Sequence, residues 1–267
     1  MSRLAPWLCF CALVASLSPT TASAKTRLRH LRHIVLDPGH GGENPGTSSA
    51  DGVHEKTLTL PIALELERLL LRHTDAKVTL TRREDTGLGL RDRARVGNEA
   101  GGDLFLSIHL NASPKPEAHG LEVYFLSPEA TTEEVRRLVA REEGAHPATT
   151  GTPVNHPAGA PGTQTPPSGL DRILAEASRV GAHRDAELVA GVILDTLHTE
   201  LRAPRRGVFQ APFGVLKEAN MPAVVVEVGF LSHAIEGKKL LTAAYQKKVA
   251  KGLYRALLAL DKKLVRR

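Results

Sequence analysis

The stretch Ile34-Val35-Leu36-Asp37-Pro38-Gly39-His40-Gly41-Gly42 decides how the rest of the chain is read. Ile34, Val35 and Leu36 form an unbroken apolar run, the pattern of a strand buried on both faces, and a proline with three glycines stops it abruptly. His40 is therefore displayed on a glycine-rich loop at the carboxyl end of a strand. Open α/β sheets bind their ligands at that edge, which places His40 as a metal ligand. A single histidine in a loop is equally compatible with an ordinary surface residue, so the assignment needs partners elsewhere.

The partners come from separate elements. Glu55 opens a helix that carries Leu58, Ile62, Leu66, Leu69 and Leu70 at helical spacing, with Pro61 tolerated in its early turns. A carboxylate there also has a plain role, complementing the positive end of the helix dipole. A strand is expected from Lys77 to Leu80, and a helix from Leu90 to Ala100 closed by Gly101-Gly102. The next strand, Asp103 to Ile108, ends in His109, with Asn111 just beyond, and another follows from Leu121 to Leu126. Helices are expected over Leu170 to Val180, Asp185 to Leu201 and Glu236 to Leu260, with short apolar pieces at Gly207 to Gln210 and Phe213 to Leu216.

The most β-like run, Ala223 to Phe230, sets Glu227 among valines. Burying a carboxylate in that company is costly without a partner, which marks Glu227 as functional on physical grounds. Alternating strands and helices predict an α/β fold: a single domain with a mostly parallel twisted sheet, helices on both faces and an antiparallel strand at its edge. Two imidazoles and a carboxylate make a catalytic zinc shell that leaves one tetrahedral position open. His40 and His109, with Glu55 or Glu227 as the carboxylate, can converge into such a set, all at element ends.

Composition narrows the setting. The chain has 267 residues, 42% hydrophobic and 24% charged, enough to build a real core. Ser2-Arg3, an apolar run from Leu4 to Leu17 and Ala22-Ser23-Ala24 read as an export signal cut after Ala24, giving a mature domain over 25–267. The apolar run is too short to span a membrane comfortably, and the mature chain is expected to carry no transmembrane segment. Both cysteines, Cys9 and Cys11, fall inside that run, so the mature protein uses no disulfide. A net charge of +6 suits an anionic partner, but 4% aromatics and no basic helix argue against nucleic acid. An anionic cell wall or membrane surface fits an exported protein better.

The segment 141–169 departs from the rest, with six prolines, five glycines and almost nothing large and apolar, and reads as a flexible insert. Just before it, Val135, Leu138 and Val139 share one helical face, and Glu142 and Glu143 follow.

The blocks Leu36-Asp37-Pro38-Gly39-His40-Gly41-Gly42, His54-Glu55-Lys56, Leu80-Thr81-Arg82 with a later Leu90 and Arg93, Ser107-Ile108-His109-Leu110-Asn111, and Asn220 through Glu227 to Ser232 together resemble the zinc-dependent N-acetylmuramoyl-L-alanine amidases. The resemblance spans Ile34 to Leu260. It implies that His40, Glu55 and His109 bind zinc and that Glu227 is the catalytic glutamate. The implied reaction is hydrolysis of the amide between N-acetylmuramic acid and L-alanine in peptidoglycan, in the periplasm or cell wall. Asn111 is expected to line the substrate groove or to cap a turn, and Asp37 to orient a ligand or to serve the turn. By the same resemblance, the stretch from Glu133 to Glu143 would lie over the zinc and offer it a carboxylate until an activator protein pulls it away. The alternative is a solvated helix leading into a linker.

Overall fold

The run at 34–36 forms the middle of β1 (His33–Pro38), and none of Ile34, Val35 and Leu36 is exposed at all. Residues 25–144 and 169–265 are described by the computed structural model of the chain. The export signal and the bulk of the proline-rich insert lie outside them. After β1 come α1 (Lys56–His73), β2 (Lys77–Leu80), α2 (Leu90–Ala100), β3 (Leu104–Asn111), β4 (Leu121–Leu126), α3 (Glu133–Gly144) and α4 (Gly169–Leu201). The chain continues through β5 (Arg205–Ala211), α5 (Gly214–Lys217), β6 (Ala223–Phe230), α6 (Glu236–Leu240) and α7 (Ala243–Leu264).

The strands form one six-stranded sheet in the order β2-β1-β3-β6-β4-β5. β2, β1, β3 and β6 run parallel. β4 lies antiparallel to β6, and β5 parallel to β4. The reversal is therefore a two-stranded block whose antiparallel seam lies inside the sheet, where a single reversed edge strand was expected. The connection between β3 and β4 is shorter than the dozen or so residues a parallel crossover needs, so β4 must turn back. The long α3–α4 connection then lets β5 follow β4 in parallel.

Successive side chains of the central strands point to opposite faces, and each face has its own core. Ile34, Leu36, Leu104, Leu106, Ile108, Val224 and Val226 pack with residues of α1, α4 and α7 on one face. Val35, Phe105, Tyr124 and Val225 pack on the other with Val135, Leu138 and Val139 of α3 and with Val215 and Leu216 of α5.

Three elements differ from expectation. α4 is one helix through Gly169–Leu201 rather than two; an internal glycine costs a helix only about 1 kcal/mol and need not break it. The last helix is instead two, because the Thr242 side chain accepts a hydrogen bond from the Tyr245 N–H and starts α7 afresh. The apolar piece at Gly207 to Gln210 belongs to a full edge strand, β5. Among the described residues no helix is long and apolar enough to cross a membrane.

Candidate metal centre

The two faces of the sheet diverge at the carboxyl ends of its parallel strands. On the α1/α4/α7 face the apolar pattern continues to Ile108, Leu110, Val226 and Val228, all buried. On the other face Val35 gives way to Asp37, Phe105 to Ser107 and His109, and Val225 to Glu227. Strand register sets these polar residues side by side, with Asp37 opposite Ser107 and His109 opposite Glu227.

His109 meets His40 and Glu55 above this edge. His40 Nε2 lies 3.0 Å from Glu55 Oε2, His109 Nδ1 lies 3.1 Å from Glu55 Oε1, and the two imidazole rings stand edge to face at 4.7 Å. A fourth donor comes from α3: Glu142 Oε2 is 3.1 Å from His40 Nε2 and 3.5 Å from His109 Nδ1. The ligand atoms of these four buried residues all lie within 4.8 Å of one another. Val135, Leu138 and Val139 are buried beneath α3, so the solvated-helix reading of that stretch does not hold.

Each of the three donors outside α3 is held from behind. The His40 Nδ1–H donates to Asn44 Oδ1 at 3.0 Å, which leaves the Nε2 lone pair for the cluster. Glu55, at the start of α1, accepts the backbone N–H of Leu110 at 2.8 Å on one oxygen and that of Thr47 at 3.0 Å on the other. Its position at the helix start thus serves the centre and not only the dipole. The ring of His109 lies against Gly39, where a Cβ would come within 2.4 Å of it.

His40 itself adopts a left-handed backbone, φ 59°, at a cost of roughly 1–2 kcal/mol for a residue with a side chain. Two buried arginines hold it there. Arg93 donates to the carbonyls of Pro38 and His40 at 2.9 and 2.6 Å, and Arg82 to those of Pro38 and Gly39 at 3.0 and 2.8 Å. Arg93 also pairs with Asp37 at 2.8 Å, and Asp37 accepts from Thr81 and Ser107 as well. Burial raises the Asp37 pKa, but the Arg93 charge and these hydrogen bonds outweigh it and hold the carboxyl below its usual range. Asp37 is thus a fixed anion in β1 that braces the His40 loop, and it touches no donor of the cluster.

Electrostatics favour a cation at the point where the four donors converge. Burial lowers the pKa of His40, yet the charge of Glu55 and its partners in the cluster raise it to about 10. Burial likewise raises Glu55, while the His40 charge and the hydrogen bonds from both histidines draw it far below the carboxylate range. His109 Nδ1 and Glu142 Oε2 are buried, and neither has a partner outside the cluster. Two imidazoles and two carboxylates directed at one point are a donor set and a count that zinc takes.

Glu227 is fully buried beside this cluster, and neither of its oxygens has a hydrogen-bond partner. Burial, reinforced by Glu142 and Glu55, pushes its pKa well above the carboxylate range, against a smaller opposing effect of Arg141. Asn111 sits at the end of β3, where a register shift sets it opposite Phe230. The shift is accommodated at Gly229, whose φ of 143° disfavours any side chain. The Asn111 amide donates to Glu122 at 2.7 Å, and its oxygen accepts from Arg141 at 3.0 Å. It lines a cavity of about 260 Å³ together with Lys115, Glu122, Tyr124 and Arg141. His54, next to Glu55, turns away to pair with Ser48.

Sequence reasoning gave no role to Asn44, Glu122 or Arg206, which enter through loop geometry and sheet register. Arg82 and Arg93 were visible only as parts of the resemblance.

The family described as N-acetylmuramoyl-L-alanine amidase matches residues 34–259. The amidase AmiC of Neisseria meningitidis serogroup B is 30% identical over 241 residues, covering 90% of this chain and 55% of that protein. The amidase AmiA of Escherichia coli is 31% identical over 220 residues, covering 82% of this chain and 72% of that protein. The chain spans about half the length of the Neisseria relative and of a Haemophilus influenzae one, of which it covers 51%. Among solved structures, the N-acetylmuramoyl-L-alanine amidase of Clostridium difficile 630 superposes with a TM-score of 0.61 at 26% identity, covering 86% of this chain and 97% of that one. The polar edge described above, with its paired histidines and glutamates, therefore sits in a chain that belongs to the N-acetylmuramoyl-L-alanine amidase family.

Proposed function

We propose that the chain hydrolyses the amide bond between N-acetylmuramic acid and the L-alanine of peptidoglycan, with zinc held by His40, Glu55 and His109. The observation that carries this is the convergence of those three donors beside a buried, unpaired Glu227 in a chain of this family. Zinc held by these residues would supply Lewis acidity toward the scissile carbonyl and lower the pKa of a water to about 7.

The chain's own groups do the rest. Asn44, Leu110 and Thr47 fix the direction of the donors, so little rearrangement accompanies the reaction. Glu227 takes the proton of the attacking water on a carboxylate oxygen and delivers it to the departing alanine nitrogen, which must leave as an amine.

α3 is the regulatory part of this proposal. Glu142 reaches the point where the three other donors converge and occupies the side from which substrate must approach. The enzyme in this arrangement is covered, and an activator that draws α3 aside uncovers it. The wider reading is of one catalytic domain, exported to the periplasm or cell wall by the apolar segment at 4–17, acting in wall remodelling or daughter-cell separation.

The test is metal analysis of the purified protein together with mass spectrometry of digested peptidoglycan. One equivalent of zinc, and free stem peptides beginning with L-alanine beside intact glycan chains, are expected. Products trimmed only at the carboxyl end of the stem would replace this reading with a carboxypeptidase.

A further inference from the structure

The cavity beside the metal centre has a charged wall that the reaction chemistry does not use. Arg206 lies where the pairing of β4 with β5 slips by one residue: Leu121 stands opposite Arg205, but Glu122 stands opposite Gly207. Arg206 is thus the extra residue of a β-bulge, a device that re-aims a side chain at the expense of the ladder. Its guanidinium is fixed on two sides, by the hydrogen bond from its Nε to Glu122 and by stacking over the Phe230 ring at 4.9 Å. Glu122 in turn is buried and accepts from the Tyr124 hydroxyl at 2.6 Å and from Asn111 at 2.7 Å. A buried carboxylate with three donors is an expensive support for a surface ion pair, and it leaves the outer edge of Arg206 turned toward Glu134, which lines the cavity.

That edge faces α3. Arg206 Nη2 lies 3.6 Å from Glu134 Oε1, and on the opposite side Lys115 Nζ lies 3.8 Å from Glu134 Oε2. Both separations are too long for hydrogen bonds, so the carboxylate sits between two cations without being locked to either. Lys115, Glu134 and Tyr124 line the same cavity as Asn111 and Arg141. α3 therefore places two carboxylates in the substrate region at once, Glu142 on the metal donors and Glu134 between the cations.

We propose that Arg206 and Lys115 form the subsite for a free carboxylate of the substrate's peptide stem, and that Glu134 occupies that subsite while α3 covers the cavity. The inference rests on the amidase reading, which fixes where the scissile amide lies. Glu122 is the cross-strand neighbour of Glu227, so the cations stand one to two strands away from the reacting point. At about 3.4 Å of reach per extended residue, a stem two or three residues long spans that interval. A planar guanidinium, held by its Nε and open at its outer edge, is the donor that suits a carboxylate.

The probe is an acidic peptide, N-acylated with a dye and built on L-alanyl-γ-D-glutamate, compared with the same peptide carrying amides in place of its carboxylates. Fluorescence anisotropy on the full chain reads affinity without turnover. Glu134→Gln removes the internal competitor and is expected to bind the acidic peptide several-fold tighter than the unsubstituted protein. Adding Arg206→Gln or Lys115→Gln to it returns the affinity to the starting level or below, while Arg206→Lys retains part of the gain. Arg206→Gln leaves Glu122 short of a donor, so Lys115→Gln, at a side chain 63% exposed, is the variant that tests the subsite without disturbing the fold. Equal binding of acidic and amidated peptides by Glu134→Gln, or acid binding untouched by both cation variants, overturns the subsite. Stem release from peptidoglycan is measured alongside: release without carboxylate discrimination rejects the subsite and keeps the amidase, and discrimination without release does the reverse.

Discussion

The two faces of the sheet are made by the same strands and meet different coverings. One is packed by α1, α4 and α7, of 18, 33 and 22 residues, and is apolar from end to end. The other is packed by α2, α3 and α5, of 11, 12 and 4 residues, and turns polar where the parallel strands end. The thick face has nothing to gain from opening. The thin face opens onto the donors at its polar end, where Glu55 joins them from the start of α1, and one of its helices holds a carboxylate against them through a small apolar footing. The comparison teaches a division of labour in which the larger apolar core lies on the face without the polar edge and the face with it is covered by shorter helices.

The largest effects should come from the polar edge itself. His109→Ala removes a donor whose ring is closely packed against the His40 loop, and the purified variant should lose its zinc and its activity together, by metal analysis and stem release. Glu227→Gln should separate the two. A proton-transferring group that is not a ligand can be changed with the metal retained, and such groups contribute about 10²–10⁴-fold in rate. Loss of zinc from Glu227→Gln would make Glu227 a donor, and normal turnover would remove it from the reaction.

Next in size is a matched pair of core truncations, one on each face. Leu253 of α7 is fully buried in the thick face, and Leu253→Ala should cost about 2–5 kcal/mol in denaturant unfolding with little change in the specific activity of the folded fraction. Leu138 of α3 is buried on the thin face, and Leu138→Ala should act mainly on the seating of one short helix. Its expected signature is a smaller loss of global stability, under about 2 kcal/mol, with a gain in stem release. If both variants lose stability equally and neither gains activity, the division between the faces is not real.

Much of this was legible because both signals are local. The alternation in Leu104-Phe105-Leu106-Ser107-Ile108-His109-Leu110-Asn111 is a strand whose one face stays apolar while the other turns polar, and Glu227 among valines repeats it. The proline and glycines around His40 announce a display loop. Other parts depend on register or on distant packing. β5 begins Arg205-Arg206-Gly207, which has no strand pattern and becomes one because β4 needs a partner. Glu122 and Arg206 meet only through a bulge, and no spacing in the sequence encodes it. The reach of Glu142 to the donors was readable as an option, and only the packing of Val135, Leu138 and Val139 decides it.

Removing that carboxylate is the next test. Glu142→Ala leaves the three other donors and their supports intact and deletes the group that faces them from α3. A several-fold rise in stem release with zinc retained is expected, and an unchanged rate would mean that covering by α3 does not limit access to the centre.

The smallest effect is expected one residue further along, and it is the control that gives the previous result its meaning. Glu143 leaves α3 in a different direction, and its carboxylate lies 3.4 Å from Lys217 of α5 with both side chains more than a third exposed. Such a pair contributes about 0–1 kcal/mol, since each charge loses little by returning to water. Glu143→Gln should therefore shift the unfolding midpoint only marginally and change stem release less than two-fold, a bound well inside that energy at about 1.4 kcal/mol per decade. If α3 were held down by the summed charge of its end, Glu142 and Glu143 would behave alike. If it is held by one carboxylate directed at the donors, adjacent residues of the same type differ sharply, and the activity of Glu143→Gln beside that of Glu142→Ala decides which.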